Sequence, residues 1–343
     1  MANCIEEMNT LLKSKIENAV RKDFEDFSVT TRILHLSTQE FTWLEKVSCS
    51  KYSDLGNLKV ALFENSQDEC SYLVVSSMLE TTLELDDEAF VLSNTSTPMF
   101  MAVVKYLYLN ILPSYSSASI KDLMYAEEFS DVQKNHFEGY ELERITKLFE
   151  HIDIFTCPSR DYTNIDFLTI VSRIVLNNKD LCKLNFSDDT FSAFETALLG
   201  SVKNENLLCA LNAYCWRYCF LDVYRCIEPL FPYPSISKLK DMLGASDLNV
   251  LKESVSSALA WKAKEEVAMN ALFEDMDETK VSFLNKVSVK EGSGKKIYEL
   301  RNRIVHHQDF DTDMEKALSK EEWDKLVCFL LENISNMYSK YVP

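Results

Sequence analysis

Arg301, Asn302 and His306 stand close together in the run IYELRNRIVHHQDF, which also holds two of the five histidines in the chain. On a helix Asn302 and His306, four positions apart, share a face, and Arg301, one step round, reaches that face with its long stem. Ile297, Leu300 and Ile304 recur at spacings of three and four, giving an apolar stripe that anchors such a helix and turns the polar trio elsewhere. Imidazole titrates in the range useful for moving protons. Guanidinium is a permanently charged fork for phosphate oxygens, and a carboxamide fixes the imidazole or bonds the phosphate. RNA carries its own nucleophile, the 2′-hydroxyl, so these three groups suffice in principle to cleave it with no metal and no cofactor. His307 is an alternative base, but its side chain leaves the face shared with Asn302. The bland alternative is a charged helix whose cations sit near its carboxyl end, where the dipole favours them.

The surroundings add charge. Between residues 286 and 303, Lys286, Lys290, Lys295, Lys296, Arg301 and Arg303 are opposed along the chain only by Glu291 and Glu299. This reads as a local basic patch in which Lys290, Lys295, Lys296 and Arg303 are candidate RNA contacts. It stands against a net charge of −18, unusual for a protein that binds phosphates. The acidity is unevenly placed: residues 1–200 hold 17 Lys and Arg against 32 Asp and Glu, and residues 201–343 hold 19 against 22.

The Arg301-Asn302-x-x-x-His306 pattern resembles the Arg-polar-spacer-His signature of HEPN-domain ribonucleases. In branches similar to the Apea-like one, an apolar helix with a Tyr-x-x-x-Glu element precedes the motif helix, here Tyr224 to Glu228. An Ile-Tyr-x-Leu-Arg-Asn run leads into the motif, here Ile297 to Asn302. The resemblance covers about the last 150 residues and not the front. It implies a helical bundle and a metal-independent endoribonuclease whose site forms where two HEPN domains meet in a homodimer. Products would carry 2′,3′-cyclic phosphate and 5′-hydroxyl ends, with RNA, tRNA included, as the substrate. Arg301, Asn302 and His306 would be the catalytic residues, with His307 and Glu228 accessory. It also implies a toxin, abortive-infection or antiphage setting in which a second domain senses a trigger or restrains the nuclease. A HEPN fold that binds RNA or protein without cutting is the rival reading, and a toxin-like enzyme that modifies protein is a third, although no cofactor site is visible for it.

The elements that would position these residues follow from periodicity. Six Gly and seven Pro in 343 residues, with 46% hydrophobic and 26% charged residues, argue for a mainly α protein of two domains. Residues 1–186 read as an acidic α+β sensor or regulatory domain of no recognised family. An opening amphipathic helix over 5–25 leads to strands in FSVTTRILHL, LKVALFE, SYLVVSSM and EAFVLSN. A helix from Pro98 to Leu112 follows, then two between Ser119 and His151, and another from Ile165 to Leu176. NFSDDTF supplies a cap near the boundary. Residues 187–343 read as an all-α bundle. Leu207–Leu230 is apolar on nearly every face, one buried helix ended by Pro229, Pro232 and Pro234. Helices over Leu248–Glu274, Ile297–His307 and Lys320–Tyr341 complete it, with EGSGKK as a glycine-containing loop before the motif helix.

Other patterns carry less. Cys215, Cys219 and Cys226 fall on one helical stripe, where core packing is commoner than zinc. DFDTDMEK lacks the glycine and closing glutamate of a calcium loop, and EGSGKK lacks the spacing of a nucleotide-triphosphate loop. LELDDEAF reads as an acidic turn between strands, and an acidic front is a candidate electrostatic mask for the basic patch. The amino terminus has neither signal- nor transit-peptide character, no stretch has the length of a membrane span, and the ten scattered cysteines suit reduced thiols in a cytoplasm. The Asn-x-Ser/Thr sites at Asn94, Asn185 and Asn333 are read as chance.

Overall fold

The computed structural model describes residues 2–29, 32–78, 89–132, 139–158, 161–200, 202, 205–244, 247–259, 263–306 and 318–342. The protein is mainly α, with one five-stranded antiparallel sheet among the described residues. It divides into two units, Met1–Phe167 and Leu168–Pro343. The division falls in the first turn of a helix, ahead of the Ser187 boundary expected from sequence.

The first unit opens with α1 (Ala2–Val20) and α2 (Thr38–Lys46), then a meander of β1 (Val47–Asp54), β2 (Leu58–Asn65) and β3 (Cys70–Ser77). β4 (Val91–Ser93), α3 (Thr97–Leu107), α4 (Ser117–Val132), α5 (Leu142–Lys147) and β5 (His151–Pro158) follow, and the sheet order is β1-β2-β3-β5-β4. Met8, Leu12, Ile16 and Val20, one stripe of α1, share a core with α3, which is buried at every position from Pro98 to Val104. A helix apolar all round has to be enclosed in this way.

One expected strand is absent. Among its described residues FSVTTRILHL holds no strand, because side chains of α1 take the backbone groups a ladder would use. Asn9 Oδ1 accepts from Ile33 N at 2.8 Å and Leu34 N at 2.9 Å, its amide donates to Leu34 O, and Glu17 Oε1 accepts from Val29 N. Two strands that the sequence reading missed, β1 and β5, hold polar and mixed sequence, VSCSKYSD and HIDIFTCP. Behind the sheet Lys59 and Glu150, 8% and 3% exposed, form an ion pair with Nζ at 2.9 and 3.0 Å from the two carboxylate oxygens. Glu150 also accepts from Ser76 Oγ and from the backbone and side-chain nitrogens of Asn110.

The second unit takes in most of α6 (Asn164–Asn177), then α7 (Asp188–Leu199), α8 (Glu205–Leu211), α9 (Trp216–Arg225), α10 (Tyr233–Leu243), α11 (Leu248–Leu259), α12 (Glu265–Leu272), α13 (Ser293–His306) and α14 (Lys320–Tyr341). α14 is its spine. α7 lies along it in the same direction, with Ser187 N and Thr190 Oγ1 bonded to Asp324 and later residues of both helices lining one cleft. α9 also runs parallel to it: Phe220 meets Trp323 at 5.9 Å between ring centroids, and Tyr338 donates to Cys226 O at 2.9 Å.

Leu207–Leu230 is therefore not one helix. It breaks at Asn212, whose side chain donates to Leu208 O, and resumes as α9 and a 3-10 turn at Glu228–Leu230. Pro229 lies in that turn, and Pro232 and Pro234 open α10 instead of only closing what precedes them. Leu248–Glu274 is likewise two helices, α11 and α12.

Candidate functional site

The motif helix begins earlier than its periodicity suggests, at Ser293, so the Gly294-Lys295-Lys296 part of EGSGKK is helical rather than loop. Two glycines permit this. Gly292 takes φ +91, and a Cβ on Gly294 would lie 2.3 Å from Met269 O, so only a glycine lets α13 start against α12. Ile297 and Leu300 are fully buried, and the opposite side of the helix carries the polar residues.

Arg301 is half-buried and held from three sides. Its Nη1 donates to Asn302 Oδ1 at 3.0 Å, its Nη2 lies 3.5 Å from Glu228 Oε1, and its guanidinium covers the Tyr224 ring at 5.7 Å. The Tyr224 hydroxyl is buried without a partner, and burial raises its pKa, opposed by the nearby Arg301 charge. Tyr224 comes from the end of α9 and Glu228 from the turn after it, so the helix break at Cys226 carries Glu228 round to the motif helix. A fixed, oriented guanidinium suits a phosphodiester, since its geometry is set before the anion arrives.

His306 is the last residue of α13 and is exposed. No hydrogen bond or ion pair joins it to Arg301 or Asn302 within the chain; it sits five residues on, about 7.5 Å along the helix axis. His307 and the acidic run DFDTDME lie outside the described residues, as does most of LELDDEAF.

The basic patch needs correction. Lys286 pairs with Glu322, Lys290 with Glu266 at 2.7 Å, Arg303 with Glu299 at 3.6 Å, and Lys296, largely buried, reaches Glu278 at 4.0 Å. Most of these carboxylates come from α12, α14 and the 3-10 segment Glu278–Lys286, and no count along residues 286–303 could register them. Among the described residues Lys295 alone of the expected contacts has no ion pair. Exposed pairs of this kind are weak, so a phosphate can displace a carboxylate, but the patch is not a free cationic surface.

No family model, curated protein or solved structure matches the chain. No helix among the described residues is long and apolar enough to cross a membrane. Nor do the described residues contain a group of three or more His, Cys, Asp or Glu able to hold a metal ion. Cys215 stands at the N-cap position of α9 without a side-chain capping bond, while Cys219 and Cys226 are buried.

Burial pushes the Cys182 and Cys226 thiols up to about 12. Both thiols thus hold protons more tightly folded than unfolded, where the ordinary value is near 9. Their contribution to stability is full below pH 9 and is lost as pH rises towards 12. Thermal melts across that window should fall more steeply for wild type than for Cys182→Ala with Cys226→Ala. Equal slopes would sink the assignment.

Proposed function

We propose that the second unit is a HEPN-type nuclease and that the protein is a metal-independent endoribonuclease. The observation that carries this reading is the meeting of Arg301 with Asn302, Tyr224 and Glu228, on a helix that ends in an exposed histidine. In the proposed reaction a histidine takes the proton of a 2′-hydroxyl as that oxygen bonds to the adjacent phosphorus. Arg301 neutralises the equatorial phosphate oxygens, and the P–O5′ bond breaks as its oxygen receives a proton. The products are a 2′,3′-cyclic phosphate and a 5′-hydroxyl.

His306 does not touch Arg301 within one chain, which suits a site shared by two copies, each presenting one group to the other. The resemblance, rather than any contact, supports the toxin or antiphage setting, the cytoplasmic location and a sensing or restraining role for the first unit. The pairing of the basic tract, which lowers its attraction for RNA phosphates, favours a second reading, a HEPN interaction module that does not cut.

Purified wild type and His306→Ala, incubated with total tRNA and a labelled single strand in EDTA, separate the two readings. Cyclic-phosphate ends from wild type alone are the expected result. Equal cutting by both proteins, or retention of RNA without cutting by either, would overturn the catalytic reading.

A further inference from the structure

The first unit holds a cavity of about 470 Å³ that the proposed ribonuclease does not use. Ligand pockets typically run from about 300 to 1,000 Å³, are mostly apolar, and orient their ligand with a few polar groups. This one has that make-up. Trp43 of α2 and Tyr72 of β3 form an aromatic corner, with ring centroids 5.8 Å apart and planes at 78°. Their polar ends are already spent, since the indole N–H and the phenol O–H both donate to Asp68 Oδ2 at 2.7 Å. What the corner offers a ligand is therefore carbon surface. Pro98, Met99 and Ile154 extend it.

The polar side of the cavity is uncharged except for Glu40: Gln39, Ser93, Asn94, Ser96 and Thr156 bring carboxamides and hydroxyls, which donate as well as accept. The Ser93 hydroxyl oxygen is shielded from solvent and has no partner. Beside it α3 begins without a side-chain cap, because Ser96 makes no capping bond and Pro98, in the first turn, has no N–H. The first bond back to Ser96 O comes from Phe100, so the amides of Thr97 and Met99 have no acceptor within the helix. No lysine or arginine lines the cavity, and its one carboxylate, Glu40, accepts from the backbone and hydroxyl of Ser37. An uncharged polar edge calls for a ligand that hydrogen-bonds without carrying charge, aromatic walls call for a flat ring, and the lack of lining cations in an acidic unit disfavours an anion.

We infer that this cavity binds a neutral, planar heteroaromatic ring rich in acceptor atoms, the chemistry of a nucleobase. The ring lies against Trp43 and Tyr72, and its carbonyl or ring-nitrogen acceptors face Ser93 and the start of α3. The site lies in the first unit and stands independently of the ribonuclease reading.

Caffeine is a direct probe: it is flat, neutral, rich in acceptors and without donors. Titrated into the full chain it should bind with Kd of about 1 mM or tighter, a value set by its size. It should quench fluorescence in wild type but not in Trp43→Phe. Ser93→Ala should weaken binding about tenfold, the value of one hydrogen bond. Gln39→Trp, at an exposed rim position, should abolish binding with the melting temperature unchanged. The inference fails if caffeine shows no saturable binding, if Gln39→Trp binds it as wild type does, or if N-methylquinolinium, a flat cation without acceptors, binds as tightly as caffeine.

Discussion

Arg301→Ala should lower single-turnover RNA cleavage roughly a hundred- to a thousand-fold, the cost of losing one preorganised donor to a charged transition state. Arg301→Lys should recover little of it. A lysine ammonium is a point charge that cannot donate to Asn302 and face a phosphate with a planar fork at once, nor lie flat on Tyr224. Asn302→Ala should cost less, because Glu228 and Tyr224 still hold the guanidinium. Rates on a labelled oligonucleotide under enzyme excess decide the matter. If Arg301→Ala cuts at the wild-type rate, Arg301 is not part of the reaction and the site must be sought elsewhere.

The second large effect concerns stability. Lys59→Met leaves the Glu150 carboxylate buried without its counter-charge, and breaking one side of a buried pair costs about 3–5 kcal/mol. Urea unfolding read by circular dichroism should show that loss as a lower midpoint at similar slope. Changing both partners, Lys59→Met with Glu150→Met, should cost less than the sum of the single changes, since no uncompensated charge remains. It still strands Asn110 N and Ser76 Oγ, so recovery should be incomplete. A midpoint for Lys59→Met within error of wild type would mean that water reaches the pair and that its burial is only apparent.

The sequence was informative where structure is local. The periodicity of α1, α3, α6 and α14, the capping serine at Ser187 and the β-branched runs of β2 and β3 all appear near where the pattern places them. Failure came where distant side chains decide. Residues 27–36 look like a strand until Asn9 and Glu17, on another element, occupy their amides. The helix break after Leu211 falls at Asn212, whose side chain turns back to Leu208 O, and no proline announces it.

The candidate site shows the same division. That Asn302 would neighbour Arg301 was legible from spacing. That Tyr224 lies beneath the guanidinium, and that Glu266, Glu278 and Glu322 answer the lysines, depends on tertiary placement.

The shared direction of α7, α9 and α14 has an electrical consequence. Antiparallel neighbours cancel their axial dipoles, but these three add, so the end of the unit where they begin is positive and the opposite end negative. Asp188, Asp189, Glu321 and Glu322 all sit in the first turns at the positive end. They act there as collective ballast against like poles placed side by side, and neutralising them together should cost more than four separate surface changes would suggest.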